Sequence, residues 1–487
     1  MINPPFDRLK GRPFRYFPLG LGYLAAESER DGFTTRIYNA ELGSPADAPA
    51  GPAKGPIVSP HHRYIESLKD PGHHVWKEAE RTITDFNPDM VGISVMSAKY
   101  GAAVKLSQIC KAVNPGIKVV WGGPHPTALP DQCLANDCVD IVARGEGEGS
   151  WLELCRDHSG DLESIDGISF KKEGRIIHNR PRALMADLDA LPFLGRDLVL
   201  NPEGYAADDF GVFITSRGCP FRCGYCCTPE IWGRKLRHRS VAKVAEEIAH
   251  VQRHHHTSTF YFWDASFTAD RAYALSLCDK LISDRLNIRF SCQTRVNIVD
   301  DELLGRMRKA GCHNIDFGIE TGSPRILKLI HKDTTLDQVE LATKLCHKHN
   351  INWNAFFIIG FPQDTRQDIL DTMEYFKKIR PPNASVSLFT PYPGTELFQV
   401  AKSYGLVDES ADWSNFSHSG AENNFTKDLT KAELDGLFTE FEALIRKQRD
   451  SFWSKYYARK SLLPFYLSHP GFLVSAFVQK AERLLKR

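Results

Sequence analysis

Three cysteines on one short segment are the residues of this sequence best suited to do chemistry. Cys219, Cys223 and Cys226 follow one another at a C-x3-C-x2-C spacing within Ser216–Cys226. Three thiolates so close along the chain can hold three irons of a [4Fe–4S] cluster, whereas clusters that only transfer electrons usually take four cysteines. No fourth cysteine completes the local pattern, so the fourth iron stays open to a small-molecule ligand. The alternatives are a zinc knuckle with a distant fourth ligand, or cysteines buried for unrelated reasons.

The cysteine spacing, together with Tyr225 directly before the last cysteine, resembles the radical S-adenosylmethionine (SAM) enzymes. The resemblance implies that the open iron chelates the amino and carboxylate groups of SAM, with Tyr225 among the cofactor-binding residues. It also implies that the reduced cluster gives one electron to SAM, and that the resulting 5′-deoxyadenosyl radical abstracts hydrogen from an unactivated carbon. Cys227 falls outside the register of the triad, and we expect it to serve in packing.

The middle of the sequence alternates between short β-rich runs and amphipathic stretches such as Val241–Arg253 and Leu336–His349. Six strand–helix units predict an α/β fold, with a parallel sheet of buried strands curled into a (β/α)6 partial barrel of radical SAM type over residues 206–398. In parallel barrels the chemistry gathers at the carboxyl ends of the strands, and the cysteine segment directly follows the first strand. The predicted strands are Gly211–Thr215, Thr259–Trp263, Ile288–Cys292, Asn314–Ile319, Asn352–Ile359 and Ser385–Phe389.

Polar residues follow the later predicted strands, in the order that the resemblance implies for a SAM site. Asp264 resembles the acidic residue near the SAM amino group, and Arg295 is placed to reach the carboxylate or the ribose. Glu320 and Ser323 lie in a stretch similar to the family's Gly-x-Glu-Ser/Thr-Gly motif near the methionine and ribose. Ile358–Pro362 resembles the segment that packs on the adenine. Taken alone each motif is weak, because a strand-end Arg or Glu more often forms a salt bridge or a helix cap.

Residues 1–165 predict a separate α/β domain with ligand-binding features of its own. Ser94 ends one predicted strand among small hydroxyl residues, and Gly122 and Gly123 end the next. Glycines at such positions let a bulky planar group, or its tail, approach the backbone closely. The alternative is an ordinary strand–turn–helix connection, which glycine pairs mark more often than they mark a cofactor. The predicted strands are Thr35–Tyr38, Met90–Met96, Lys118–Trp121 and Val139–Ala143.

The order of these elements, with Pro18-Leu19-Gly20 early and Gly145-Glu146-Gly147-Glu148 late, resembles the Rossmann-like cobalamin-binding domain that precedes many radical SAM domains. The resemblance spans essentially the whole segment and implies cobalamin as a cofactor. Two features depart from the family pattern: the first strand before Asn3-Pro4-Pro5 is nearly missing, and the Asp-x-His-x-x-Gly signature of a lower axial histidine is absent. We therefore expect cobalamin without that ligand, and we interpret His125, a loop residue beside two prolines, as structural.

Two further segments complete the predicted organisation. Residues 166–205 predict a β-hairpin, formed by Gly167–Lys172 and Arg175–Asn179, and then a linker. Residues 399–487 lose the strand rhythm and predict a helical C-terminal region, amphipathic at Asp428–Arg449. Basic and aromatic residues crowd its end, and together they can mark an interfacial helix in peripheral contact with a membrane or a site for an anionic amphiphile. A helical cap with a solvated basic face is the alternative that we prefer.

The composition agrees with an enzyme. The chain has 487 residues, of which 42% are hydrophobic and 25% charged, and this size suits two or three globular domains. A formal net charge of +1 gives no argument for nucleic acid as a partner. Twelve cysteines in a chain this long do not indicate a disulfide framework. Without a secretory signal or an apolar run of membrane-spanning length, we expect a cytoplasmic location, which suits an oxygen-sensitive cluster.

These features lead to a first hypothesis and two alternatives. The first is a cobalamin-dependent radical SAM C-methyltransferase, in which methylcobalamin gives its methyl group to the substrate radical. The second uses the same cofactors for ring formation or rearrangement, as in the family's anaerobic porphyrin cyclases. The third, from another class, is a non-catalytic corrinoid- or SAM-binding sensor. The expected partners are a small-molecule, natural-product or lipid-like substrate and a flavodoxin- or ferredoxin-type reductant.

Overall fold

The computed structural model describes residues 1–11, 16–43, 47, 60–157, 159–416 and 423–450. The strands are β1 Ile2–Asn3, β2 Tyr38–Asn39, β3 Met90–Ser94, β4 Lys118–Gly122, β5 Ile141–Ala143, β6 Ile168–Lys172, β7 Arg175–His178, β8 Val212–Phe213, β9 Ser216–Arg217, β10 Arg237–His238, β11 Thr259–Phe262, β12 Arg289–Thr294, β13 Cys312–Glu320, β14 Asn352–Ile359 and β15 Asn383–Leu388. The helices are α1 Leu19–Arg30, α2 Pro60–Lys69, α3 His74–Phe86, α4 Tyr100–Val113, α5 Pro124–Ala128, α6 Pro130–Leu134, α7 Glu148–Arg156, α8 Thr228–Trp232, α9 Val241–His255, α10 Arg271–Ser283, α11 Asp301–Lys309, α12 Pro324–Leu329, α13 Leu336–Lys348, α14 Arg366–Ile379, α15 Glu396–Ser403 and α16 Lys431–Arg449.

The chain forms two compact units, and neither is continuous in sequence. Unit 1 consists of Met1–Ser240, Gly360–Gln363 and Leu388–Lys431. Unit 2 consists of Val241–Ile359, Asp364–Ser387 and Ala432–Arg487, of which residues 451–487 lie outside the described part. The cysteine segment and the predicted cobalamin-binding domain therefore both belong to unit 1.

A seven-stranded sheet in the order β2-β1-β3-β4-β5-β6-β7 forms the centre of unit 1. The first five strands are parallel, and the apolar residues of β3 and β4 are covered on both faces of the sheet. Val91 and Ile93 of β3 and Val119 and Trp121 of β4 are all buried. β1 has only two residues, as the weak first strand of the sequence predicts, yet it pairs with both β2 and β3.

The predicted hairpin is confirmed, and it extends this sheet. β6 pairs antiparallel with β5 and with β7, and Lys172 faces Arg175 across the turn. Both turn residues have positive φ, 50° at Glu173 and 74° at Gly174. This backbone matches the right-handed twist of the strands that it joins, which is why such two-residue turns favour glycine.

Unit 2 contains a parallel sheet in which β14, β13, β12 and β11 are neighbours in that order, with β15 beside β14. Every second residue of β14 is buried, among them Trp353 and Phe357, while the residues between them are exposed or half-buried. The sequence predicts buried strands, and in β14 the burial is complete on one face only. Helix α13 begins with a capping box between Thr335 and Gln338, and α14 with one between Thr365 and Asp368.

All six strands predicted for the middle of the chain are present, with ends that differ by a few residues. The first, predicted at Gly211–Thr215, is reduced to β8 and belongs to unit 1. The amphipathic stretch predicted at Asp428–Arg449 corresponds to α16. The basic and aromatic sequence beyond it lies largely outside the described residues.

Candidate functional site

The carboxyl ends of β3, β4 and β5 in unit 1 line a cavity of about 360 Å³. Ser94 is the last residue of β3, Gly122 is the last residue of β4, and Gly123 follows it. All three residues predicted for cobalamin contribute to the cavity wall. This is the edge of a parallel α/β sheet where ligands usually bind. The wall also includes Gly20, Leu24, Gly145, Gly147, Cys227 and Trp232.

Several glycines of this wall leave space that the protein itself does not fill. A Cβ added to Gly122 would come no closer than 3.9 Å to another protein atom, and one added to Gly20 or Gly145 would meet nothing within 4 Å. Gly92 differs, because its Cβ would lie 2.8 Å from the ring of Trp151. The open glycines therefore suit close approach of a bulky ligand to the backbone, and the cavity fits part of a corrinoid.

Gly123 has a different requirement, since its φ of 107° favours glycine. A Cβ there would also lie 3.0 Å from the carbonyl oxygen of Val95. The Val95 N–H donates to the Gly122 carbonyl at 2.7 Å, and the His125 N–H donates to the Val95 carbonyl at 3.2 Å. Gly123 thus shapes the loop after β4. The same residue is predicted to contact cobalamin.

His125 does not line the cavity, and its surroundings support the structural interpretation. The ring lies edge-on to Tyr100 and to Trp413, with centroid distances of 5.0 and 5.4 Å. Its Nδ1 lies 3.0 Å from the Ser97 hydroxyl. Burial lowers the pKa of His125 to about 4. A neutral imidazole enclosed in this way is a packing residue rather than a cobalt ligand.

The cysteine segment of unit 1 starts directly after β9. Gly218 has a φ of 96°, and a Cβ there would lie 2.2 Å from the Lys235 carbonyl oxygen, so the turn into the segment needs glycine. The Cys219 N–H donates to the Gly233 carbonyl at 3.2 Å, and the Cys226 N–H donates to the Cys223 carbonyl at 3.1 Å. The three thiols of the triad are half-buried and form no disulfide. This donor set suits an iron–sulfur cluster.

Within the described part of the chain, no three His, Cys, Asp or Glu side chains are gathered closely enough to hold a metal ion. A single zinc ion with bonds of about 2.3 Å to sulfur needs its ligands much closer together than a four-iron cluster does. The described geometry therefore gives no support to the zinc knuckle. The assignment of the triad to a cluster stays a prediction that rests on its spacing.

Cys227 and Tyr225 lie on either side of the last triad cysteine and have different surroundings. Cys227 lines the cavity, and burial raises the pKa of its thiol to about 11. The ring of Tyr225 lies 6.0 Å from that of Phe361, which in turn lies 5.2 Å from Phe389. Phe361 belongs to the segment predicted to pack on adenine.

In unit 2, Glu320 ends β13 at a bulge. The strand register shifts between Gly318 and Glu320, and Glu320 has a φ of 67°. Its carboxylate pairs with the Lys332 ammonium at 2.7 Å, and both side chains are buried. A Cβ on Gly318 would lie 2.3 Å from the Glu320 Oε1, so a larger residue there would displace the carboxylate from its present position. Lys332 carries no recognisable signal in the sequence, because no local motif marks a residue that follows a separate helix.

Arg295 and Asp264 occupy the ends of the neighbouring strands. The Arg295 guanidinium donates to the Lys332 carbonyl oxygen and, at 3.3 Å, to the Asn297 Oδ1. Asp264 is fully buried, and its carbonyl oxygen accepts a hydrogen bond from the Gln293 Nε2 at 2.9 Å. Arg295 and Glu320 thus both contact Lys332, Arg295 at its backbone carbonyl and Glu320 at its side-chain ammonium.

Ser323 acts locally as the N-cap of α12. Its hydroxyl accepts from the Ile326 N–H at 3.3 Å and donates to the Asp368 carboxylate at 2.7 Å. Burial would raise the pKa of Asp368, but hydrogen bonds from Arg325, Ser323 and Thr365 outweigh it and hold that pKa well below its usual range. The structure therefore gives Ser323 a capping role, and its predicted contact with SAM stays a prediction.

Comparison with known proteins agrees with both parts of the predicted organisation. Residues 11–154 match the B12 binding domain, and residues 213–376 match the radical SAM superfamily. The chain is 32% identical to an uncharacterized methyltransferase of Pyrococcus horikoshii, over 84% of this chain and 87% of that protein. This chain belongs to the cobalamin-dependent radical SAM enzymes. Its predicted α/β fold and its cofactors, a [4Fe–4S] cluster, SAM and cobalamin, are confirmed.

Two other proteins, one curated relative and one solved structure, are also similar to this chain. The chain is 30% identical to the anaerobic magnesium-protoporphyrin IX monomethyl ester cyclase of Rubrivivax gelatinosus, over 66% of this chain and 60% of that protein. The radical SAM methyltransferase TsrM of Kitasatospora setae has the same fold, with a TM-score of 0.63 and 18% identity over 83% of this chain and 76% of that one. Membership of this enzyme family confirms that the chain is an enzyme and disfavours the sensor. None of its described helices has the length and apolar character needed to span a bilayer.

Proposed function

We propose that this enzyme transfers a methyl group from SAM, by way of cobalamin, to an unactivated carbon of a small-molecule, natural-product or lipid-like substrate. One observation carries the proposal: Cys227 and Thr228, which directly follow the cysteine triad, line the same cavity as Gly122 and Ser94. The corrinoid site and the cluster segment therefore share a wall within unit 1. Hydrogen abstraction and methyl transfer both need their reacting groups close together, and a shared wall suits that need.

The residues divide among the cofactors as follows. We assign Cys219, Cys223 and Cys226 to the cluster, and the glycine-lined cavity to the corrinoid. When bound, the cluster supplies the electron that cleaves SAM and the corrinoid supplies the methyl group. We also assign Glu320 and Arg295 of unit 2 to the SAM site. Both are buried at the ends of neighbouring strands and both contact Lys332, Glu320 at its ammonium and Arg295 at its carbonyl oxygen. Tyr225, Asp264 and Ser323 complete the proposed SAM set.

The proposal can be tested before the substrate is known. Full-length protein, reconstituted anaerobically with iron, sulfide and hydroxocobalamin, is mixed with SAM labelled in its methyl group and with a flavodoxin- or ferredoxin-type reductant. We expect 5′-deoxyadenosine from reductive cleavage of SAM, and S-adenosylhomocysteine in step with transfer of the label to the corrinoid. Deoxyadenosine without any labelled corrinoid would contradict the methyltransferase proposal and leave the radical SAM assignment intact.

Ring formation or rearrangement is the second candidate, because the relative from Rubrivivax gelatinosus is named a cyclase. The two candidates differ in their products once a substrate is found. A methyltransferase forms S-adenosylhomocysteine and deoxyadenosine in nearly equal amounts, and the labelled methyl group appears on carbon. A cyclase forms deoxyadenosine and product without S-adenosylhomocysteine.

A further inference from the structure

Four charged side chains form a buried network beside the cavity of unit 1. Arg217 pairs with Glu146 at 3.0 Å and with Glu148 at 2.5 Å. Arg237 pairs with the other oxygen of Glu146 at 2.9 Å. Each of these side chains is between 5% and 8% exposed. Two acids and two bases balance in charge, and the geometry compensates for the removal of these ions from water.

Glu146 is the centre of this network. Arg217 and Arg237 are direct partners across the antiparallel pair of β9 and β10, a position in which like charges repel. Glu146 lies between them and binds one guanidinium with each carboxylate oxygen. Burial would raise the pKa of Glu146, but Arg237 and Arg217 outweigh it, and the pKa lies below its usual range. Without this carboxylate, two buried guanidinium groups would face each other.

The network joins the two cofactor segments of the chain. Glu146 and Glu148 alternate with Gly145 and Gly147, and all four residues line the cavity. Arg217, which lines it too, lies two residues before the first triad cysteine. Its guanidinium also lies 5.6 Å from the centre of the Tyr23 ring, on α1. The loop that would hold the corrinoid is therefore bonded directly to the start of the cysteine segment.

We propose that Glu146 is a positioning residue that couples the two cofactors, so that binding of either one strengthens binding of the other. The inference rests on the proposed function, since it takes the cavity as the corrinoid site and the triad as the cluster site. A ligand against the loop after β5 restrains Glu146, and Glu146 in turn restrains Arg217 and the start of the cysteine segment. The second cofactor then meets a segment that is already ordered, which gives positive cooperativity.

The wild-type protein provides the first test. Binding of hydroxocobalamin is measured by equilibrium dialysis with full-length protein, once with the cluster reconstituted and once without it. We expect at least about a five-fold tighter binding in the presence of the cluster, the lower end of typical coupling between sites. Tight but equal binding would overturn the coupling alone. Absence of corrinoid binding in both preparations would overturn the proposed function together with the coupling.

Variants then locate the coupling. Glu146→Gln keeps the shape of the side chain and removes its charge, and it should bring the ratio of the two affinities to about one. The matched control is Glu78→Gln, which weakens the ion pair between half-buried Glu78 and buried Arg8 at 2.7 Å elsewhere in unit 1. A general loss of stability affects both variants, whereas only Glu146→Gln should change the ratio. An unchanged ratio in Glu146→Gln would overturn the proposal. If that variant does not fold, equal corrinoid affinities of the two wild-type preparations would overturn it.

Discussion

The buried ring of His125 makes the stability of unit 1 depend on pH in a predictable way. The side chain is 1% exposed, and burial lowers its pKa to about 4 from a usual value near 6.5. A difference of about 2.5 pKa units corresponds to about 3 kcal/mol of folding free energy. Because the pKa is lowered in the folded state, the unfolded chain binds more protons between pH 6.5 and 4. The contribution of the neutral His125 ring to the free energy of unfolding is complete above pH 6.5. It is lost as the pH falls from 6.5 to 4.

About 2 kcal/mol of this contribution should be lost by pH 5. The test is equilibrium urea unfolding of the wild type and of His125→Asn at pH 8 and pH 5. Asparagine keeps a polar atom near Ser97 but does not titrate, so we expect the variant to lose about 2 kcal/mol less than the wild type between the two pH values. His62→Asn, which changes an exposed histidine of the same unit, is the control.

Two results would refute this reasoning. Equal losses of free energy in the wild type and in His125→Asn would show that the ring is not held neutral by burial. A change in the absorption spectrum of bound cobalamin in His125→Asn, at a pH where the protein is folded, would show that the ring reaches cobalt. We expect that spectrum to lack the signature of a histidine lower ligand in both proteins.

Three further predictions concern the cofactors. Alanine at any triad cysteine should remove the cluster absorbance and all 5′-deoxyadenosine formation, whereas Cys227→Ala should keep both. If the cluster were lost in Cys227→Ala and kept in Cys226→Ala, the assignment of the cluster ligands would be wrong. Gly20→Leu should lower cobalamin retention about ten-fold or more, because the added side chain fills the cavity. The control is Gly436→Leu, at an exposed helical glycine with equally few neighbours, and it should not change retention. Equal retention in the two variants would rule out this cavity as the corrinoid site. Glu320→Gln should weaken SAM binding, measured by equilibrium dialysis, about ten-fold, because the Lys332 ammonium loses its charged partner. The cluster absorbance should not change. An unchanged affinity for SAM would show that Glu320 does not belong to the SAM site.

Much of the fold was predictable because it depends on residues that are neighbours in sequence. The hairpin at Glu173-Gly174 follows from a turn that needs positive φ at both residues. The predicted strands of both units follow from runs of β-rich residues between amphipathic helices, and their ends shifted only by a few residues. The cysteine triad is also a local pattern, since its three cysteines lie within eight consecutive residues.

The sequence by itself determined the order of the elements, the cysteine triad and the glycines at the strand ends, because each is a local pattern with a local physical cause. Only the tertiary structure decided which distant side chains meet. Lys332 reaches Glu320 because a bulge turns the end of β13, and Trp413 encloses His125 from a segment almost three hundred residues away. Glu146 lies between Arg217 and Arg237 only because two short strands pair in one register. Such contacts depend on how separate elements pack, and no periodicity along the chain records that arrangement.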